Sequence, residues 1–165
     1  MHHADETLEK DPAIDFENLS QKPENSFGYL VRRCHRRFDR ALNARLAGHG
    51  IKTGFWYYLR VLWMGDRVTQ KYLSDMTNVA ENTTVSMIEG MAKAGIVRRV
   101  LDDADKRKRL VELTAQGRAL EGKLTHHAVE INQIAVSGIS VRDLATCRRV
   151  LLRMSENLER DLPGD

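Results

Sequence analysis

The 165-residue sequence contains only two cysteines and three prolines. Cys34 and Cys147 lie far apart within helical patterns, so no disulfide framework is implied. The sequence has no apolar run of the ~18 residues needed to cross a bilayer, and its N-terminus lacks the pattern of a signal peptide. We therefore expect a soluble chain in a reducing cytoplasm, with no membrane partner.

The composition is that of one folded helical domain. Hydrophobic residues make up 42% and charged residues 30% of the chain, which argues against disorder. The formal net charge is only +3, so the placement of charge matters more than its sum. Two basic clusters, at residues 32–45 and 98–109, suggest a polyanionic partner. A solvated basic surface is the alternative interpretation.

Apolar periodicity predicts four helices in the first part of the chain. Residues 1–24 lack this periodicity and are predicted to form a flexible arm. A long helix follows Ser26 and ends near Gly48, and Thr53 is expected to cap the second helix. A short third helix at 69–76, which Thr69 should cap, and a fourth at about 80–94, which Gly95 ends, form a helix-turn-helix.

After Gly95 the pattern changes from helix to strand. The segments 96–101 and 110–113 are short and rich in β-branched residues. They flank a charged stretch, and this pattern predicts a hairpin. Thr114 should cap a fifth helix, and Ser140 with Asp143 a sixth. The predicted fold is mainly α with a small β-hairpin wing, as a single domain over 25–162. The winged helix-turn-helix occupies about 52–114, between helices at about 26–48 and 115–161 that are expected to form a dimer.

This order of elements predicts a DNA-binding surface. An α-helix fits the major groove, and a basic hairpin can reach the neighbouring minor groove. On the fourth helix, Val85, Ile88 and Ala92 are expected to face the third helix. The groove side should carry small or polar groups, namely Asn82, Thr83, Thr84, Ser86 and Met87, together with Gly90. The alternative is an ordinary surface helix rich in serine and threonine.

The wing region resembles the MarR family of regulators. The resemblance depends on Gly95-Ile96-Val97, on Arg99, on Asp105-Lys106-Arg107, and on the LTAQGR sequence at 113–118. The family's wing carries Asp-x-Arg, followed by Leu-Thr-x-x-Gly. The similarity extends from about residue 27 to residue 158, with Lys106 standing where the family more often has arginine.

The resemblance implies roles for individual residues. Arg107 would enter the minor groove, and Asp105 would orient the wing, by pairing with Arg99; a surface ion pair without function is the alternative. Phosphate contacts are expected from Gln70, Lys71, Lys106 and Lys108. The family also implies a homodimer whose terminal helices interlock. Such a dimer would place two recognition helices on a pseudo-palindrome in double-stranded DNA.

A small-molecule effector is also expected. The residues predicted to contact it are His35, Arg37, Trp56, Tyr57 and Arg60, a set that suits an aromatic acid, a phenol or an acyl thioester. Aromatic residues at helical spacing are otherwise plain core. His126 and His127 point about 100° apart on a helix, so no metal site is predicted. No cofactor motif or catalytic arrangement is evident, and we do not expect an enzyme.

The sequence therefore favours a DNA-binding transcriptional regulator, with repression relieved by a small aromatic ligand as the leading hypothesis. One alternative is a winged-helix module that binds proteins, although the basic wing tip favours DNA. Another is a redox-sensing regulator that acts through Cys34. Because Cys34 has apolar neighbours, a buried structural thiol is the preferred interpretation of that residue.

Overall fold

The computed structural model describes residues 22–162, which form six helices and three strands. The elements are α1 (Phe27–Leu46), α2 (Thr53–Met64), β1 (Val68–Thr69), α3 (Gln70–Thr77), α4 (Glu81–Lys93), β2 (Val97–Leu101), β3 (Arg109–Leu113), α5 (Ala115–Ala135) and α6 (Val141–Asp161). The predicted mainly α fold with a β-hairpin is confirmed. The arm predicted for residues 1–24 lies outside the described residues, except for 22–24. Of these, residues 23 and 24 belong to a short 3-10 turn at Pro23–Asn25.

Polar side chains cap three of the helices as predicted. The hydroxyl of Thr69 accepts from the Tyr72 amide, that of Thr114 from the Gly117 amide, and that of Ser140 from the Asp143 amide. Each bond satisfies an amide that has no partner within its own helix. The prediction for Thr53 is wrong. Thr53 is already helical, with Lys52 as the N-cap, and its hydroxyl instead donates to Asn43 of α1 at 2.8 Å.

The wing is part of a three-stranded antiparallel sheet with the order β1-β3-β2. In the hairpin, Val97 pairs with Leu113 and Leu101 pairs with Arg109. Strand β1 was not predicted. It has only two residues, which is too short for an alternating pattern, and it exists because Val68 pairs with Val111 on the free edge of β3.

Helix α2 lies at the centre of the core. Its buried residues are Phe55, Trp56, Tyr58, Leu59 and Leu62, which cover about half of its circumference, whereas Tyr57, Arg60 and Met64 on the remaining side are exposed. A helix with so wide an apolar face must be covered by several neighbours. Here those neighbours are α1, α3, α4 and α5, which contribute Leu46, Leu73, Ile88 and Leu124 to the same core.

Helix α6, by contrast, contributes no buried residue to this core. Four of its apolar side chains are between 44% and 66% exposed: Val150, Leu151, Leu152 and Leu158. A contiguous apolar surface of this kind marks an interaction site in a folded protein. Within residues 22–162, no helix is both long and apolar enough to cross a membrane.

A close contact between α5 and β2 joins the wing to the helices. The Thr114 amide donates to the Ile96 carbonyl at 3.0 Å, and the Thr114 hydroxyl donates to the Gly95 carbonyl at 2.6 Å. At Gly117, one turn into α5, a Cβ atom would lie 2.2 Å from the Ile96 carbonyl oxygen. Only glycine allows this approach, since backbone atoms cannot move aside as a flexible side chain can.

The variant Gly117→Ala should lower the free energy of unfolding by about 1–3 kcal/mol, the range for forcing an atom into a packed site. The matched control is Gly122→Ala on the same helix, where an added Cβ would meet nothing within 4 Å. That change should raise the free energy of unfolding by about 0.5–1 kcal/mol, because alanine suits a helix better than glycine. Urea denaturation of both variants measures the difference, and equal effects would contradict the close contact.

Candidate DNA interface and ligand cavity

Helix α4 exposes a short polar surface near its N-terminus. Asn82, Thr83 and Ser86 are all exposed. The Asn82 side chain accepts from the Thr83 amide at 2.8 Å, and the Ser86 hydroxyl contacts the Asn82 carbonyl at 3.3 Å. These local bonds leave amide and hydroxyl groups at the surface, where they can pair with the edges of bases.

Thr84 does not belong to that surface, and its prediction as a DNA contact is wrong. Its side chain is fully buried, and its hydroxyl lies 3.1 Å from the Tyr58 hydroxyl of α2. The hydroxyl also donates to the Val79 carbonyl at 3.4 Å. Thr84 therefore holds α4 against α2. The sequence pattern suggested a polar face, and it could not reveal that a buried tyrosine would supply the partner for this hydroxyl.

Met87 and Gly90 also face inward to a degree that the sequence did not predict. The thioether of Met87 lies 3.2–3.3 Å from where a Cβ at Gly54 would be, so its tip packs against α2. A Cβ at Gly90 would lie 3.2 Å from the Phe55 ring. The buried residues of α4 are Thr84, Ile88 and Met91, whereas Ala92, predicted to face inward, is exposed. The inner face is thus rotated from the expected one.

The wing tip presents basic side chains to solvent. The Arg107 side chain is 93% exposed, and its Nε donates to Asp105 at 3.2 Å. The Asp105 carboxylate also accepts from the Arg107 amide at 3.1 Å, and these two bonds lower the pKa of Asp105. Asp105 was expected to pair with Arg99, but Arg99 instead lies 3.8 Å from Glu89 of α4. Asp105 therefore orders the tip locally, because both bonds to its carboxylate come from Arg107 in the same turn.

Helix α3 carries two of the predicted phosphate contacts. Lys71 is exposed and lies 3.5 Å from Asp75 and 3.4 Å from Glu81, and these acids raise its pKa. Gln70 is half-buried at the first position of the helix. Lys71 stays cationic, but any contact with a phosphate must compete with two carboxylates.

A cavity opens where α1, α2 and α5 meet. Its larger part, about 480 Å³, includes Trp56, Arg60, Val129 and Gln133, and a smaller part of about 100 Å³ includes Phe38, Leu42, Tyr57 and Ile131. Trp56, Ala128 and Asn132 line both parts, so the two are adjacent. The volume and the mixture of apolar walls with a few polar groups are typical of a small-molecule site.

The structure brings together most of the residues predicted to bind a ligand. Trp56, Tyr57 and Arg60 line the cavity, and His35 lies beside Tyr57, with the ring centres 6.4 Å apart. Arg37 does not line the cavity. It lines a separate depression on α1, together with Tyr29 and four other arginines. Residues three or four apart share one side of a helix, and Arg37 shares its side with Arg33 and Arg40 instead of with the cavity.

Asp39 links two of these residues, although the sequence did not single it out. The Tyr57 hydroxyl donates to Asp39 at 2.5 Å, and His35 Nε2 lies 3.3 Å from the other carboxylate oxygen. Burial, followed by the bond to Asp39, raises the pKa of Tyr57 to about 12. The phenol is therefore neutral at ordinary pH and its proton is committed to Asp39, so an incoming ligand finds Arg60 as the cationic group.

No protein-family model matches the sequence. The chain is 29% identical to the HTH-type transcriptional repressor YetL of Bacillus subtilis over 102 residues. This alignment covers 60% of this chain and 61% of YetL. The structure of a MarR transcriptional regulator from Methanosarcina mazei matches at 27% identity with a TM-score of 0.73, over 82% of this chain and 97% of its own. The chain is thus similar to MarR-family regulators in fold and to HTH-type transcriptional regulators in sequence. The predicted resemblance to the MarR family is confirmed, and these relatives indicate a DNA-binding transcriptional regulator.

Two further structures share the fold of this chain. The MepR–DNA complex of S. aureus matches at 20% identity and a TM-score of 0.75, over 80% of this chain and 98% of its own. CouR from Rhodococcus jostii, bound to p-coumaroyl-CoA, matches at 19% identity and a TM-score of 0.69, over 81% of this chain and 94% of its own. At these identities the likeness establishes the fold alone.

Helix α5 supplies a wall of the cavity that the sequence reasoning missed. Its lining residues Thr125, Ala128, Val129, Asn132 and Gln133 recur at spacings of three and four. That spacing was visible in the sequence, but α5 was interpreted only as a dimer helix. Cys34 was also misplaced: it is exposed, which contradicts the expected buried thiol.

The variant Asp39→Asn should lower the pKa of Tyr57 but leave it above the ordinary value of 10.0. The change weakens the hydrogen bond and removes the negative charge, while burial, the largest cause of the shift, remains. Alkaline titration of the tyrosine absorbance measures the pKa, with Tyr57→Phe to identify the contribution of this residue. Asp75→Asn, distant from Tyr57, is the control. An unchanged titration in Asp39→Asn would show that the short contact does not form in solution.

Proposed function

We propose that this regulator is a repressor that binds a pseudo-palindromic operator as a homodimer and is released by a small aromatic ligand. One observation carries the proposal: α2 forms a wall of the cavity and also contacts α4, the proposed recognition helix. Trp56 lines the cavity, while Tyr58, on the opposite side of α2, contacts Thr84 of α4 at 3.1 Å. A ligand that moves α2 relative to α5 would therefore move α4 as well.

The proposed dimer uses the apolar surfaces that the single chain leaves open. On α6, Val150, Leu151, Met154 and Leu158 share one stripe, and none of them is buried. The N-terminal half of α1 adds Phe27, Leu30 and Val31, each between 41% and 46% exposed. A second copy of the chain is the partner that fits both surfaces at once, because a two-fold dimer repeats the same patches on each subunit. Two α4 helices would then face successive major grooves.

The variant Arg107→Ala should weaken operator binding by about 1–3 kcal/mol, because the exposed guanidinium would lose its contact in a groove. Lys108→Ala should instead reduce the salt dependence of binding by about one unit of slope, as expected for a single phosphate contact. Titration of a verified operator at several salt concentrations measures both quantities. The control is Arg153→Ala on α6, an arginine in a similar exposed ion pair. Wild-type binding by both wing variants would refute the proposed role of the wing.

The chemistry of the cavity supports an aromatic acid, a phenol or an acyl thioester as the effector. Trp56 and Phe38 offer aromatic walls, and Arg60 offers a cationic group to a carboxylate or phenolate. The binding of p-coumaroyl-CoA by CouR, a protein of the same fold, is in keeping with a ligand of this class. Such a ligand can act only if it binds the DNA-free arrangement more tightly than the DNA-bound one.

The variant Arg60→Ala should weaken binding of an aromatic acid while leaving operator affinity without ligand near that of wild type. A thermal-shift screen of aromatic acids, phenols and thioesters identifies the ligand, and release of operator DNA tests its effect. Ligand and operator should weaken each other's binding by the same amount, typically about 1–3 kcal/mol. Arg36→Ala, on the exposed outer side of α1, is the control. A stabilising ligand that leaves operator affinity unchanged would refute this part of the proposal.

A further inference from the structure

The loop between α2 and β1 makes an unusual set of contacts with the wing. Arg67 is the third residue after the end of α2, following Gly65 and Asp66. Its backbone has a φ of 60°, which residues other than glycine rarely adopt. The Asp66 carboxylate stabilises this loop, because one of its oxygens accepts from the amides of Arg67, at 2.9 Å, and of Leu113 in β3, at 2.8 Å. Its other oxygen pairs with Arg118 of α5.

Held in this way, Arg67 reaches the wing tip. Its guanidinium donates to Asp103 at 2.7 Å. The other polar contacts of residues 102–108 in the described chain are internal to the tip: they join Asp102 to Lys108 and Ala104, Asp103 to Lys106, and Asp105 to Arg107 and Lys108. Within residues 22–162, the bond from Arg67 is therefore the one side-chain hydrogen bond that joins the tip to the rest of the fold.

The charges at this contact suggest what it does. Asp103 also accepts from Lys106 at 3.4 Å, and Lys106 and Arg67 together lower its pKa. Arg67 and Asp103 are 42% and 78% exposed, so their pair adds little to overall stability. A weak bond can still select one orientation of a tip whose other polar contacts all lie within the hairpin. In addition, a carboxylate occupied by Arg67 competes less with DNA for the charge of Lys106.

We infer that Arg67 is a positioning residue for DNA binding, which holds the wing tip through Asp103 in the orientation that places Arg107 at the DNA. This inference rests on the proposed role of the wing at the operator. It assigns a function to a residue that faces the tip from outside the hairpin. It also explains why a residue other than glycine stands at this strained backbone position, which Asp66 stabilises through its bonds to the amides of Arg67 and Leu113.

The test compares Arg67→Gly with Asp103→Asn. Glycine suits the backbone at φ 60° and removes only the side chain, so Arg67→Gly should leave thermal stability equal to or above that of wild type. Operator affinity should fall by about twofold to fivefold, the range for one exposed ion pair. Asp103→Asn should weaken binding similarly, although it removes a negative charge close to DNA. If Arg67 acted only through its own charge, Asp103→Asn would strengthen binding.

Two further measurements separate positioning from a direct phosphate contact. The salt slope of operator binding should stay unchanged in Arg67→Gly, since loss of a phosphate contact would reduce it by about one unit. Amide hydrogen exchange at Ala104 and Arg107 should become faster in both variants. The exchanged pair Arg67→Asp with Asp103→Arg should restore affinity and slow exchange again, because aspartate tolerates the backbone at position 67.

The controls distinguish failure of this inference from failure of the proposed function. Arg153→Ala should match wild type in every measurement. If Arg107→Ala weakens operator binding while Arg67→Gly and Asp103→Asn do not, the positioning role is refuted and the wing contact stands. If Arg107→Ala binds like wild type, the wing is not at the DNA and both are overturned. A reduced salt slope in Arg67→Gly would identify Arg67 as a phosphate contact and refute the inference.

Discussion

The close approach of α5 to the start of β2 is the constraint on which the rest of the structure depends. Thr114 bonds to the backbone of Gly95 and Ile96, and Gly117 leaves space for the Ile96 carbonyl. Trp63 at the end of α2 donates to the Gly117 carbonyl at 3.0 Å, so the central helix is fixed to the same point. Recognition helix, wing, central helix and α5 therefore meet within a few residues. A side chain at position 117 would separate them all.

Helix α2 connects the cavity to the proposed DNA-binding surface. Because its buried residues point toward several helices, they contact different neighbours according to their direction: Trp56 lines the cavity, and Tyr58 bonds to α4. Packed interiors change between a few discrete arrangements instead of deforming continuously. Under the proposed function, a shift of α2 against α5 would therefore be transmitted to α4. The buried hydroxyl pair of Tyr58 and Thr84 would make this transmission specific, since an unpaired hydroxyl in the core would be costly.

The predictions that succeeded and those that failed differ in their physical origin. The capping roles of Thr69, Thr114 and Ser140 were predicted correctly, because a cap depends on residues within one turn of the chain. The role of Thr84 and the partner of Asp105 were predicted wrongly. Threonine suits both a DNA contact and a buried bond, and only the position of Tyr58 decides between them. Likewise, Arg99 lies closer to Glu89 than to the wing tip because α4 packs beside β2.

The sequence by itself determined the order and approximate bounds of the helices, the hairpin and the resemblance to the MarR family, since these depend on local periodicity, capping and short motifs. It also singled out Trp56 and Tyr57 of α2, which line the cavity. The tertiary structure alone decided which side of α4 faces outward, that α5 completes the cavity, that Arg37 lies away from it, and that Asp39 bonds to Tyr57. These features depend on how helices distant in sequence rotate against each other to fill space. That rotation follows from the packing of all their side chains together, and no single segment encodes it.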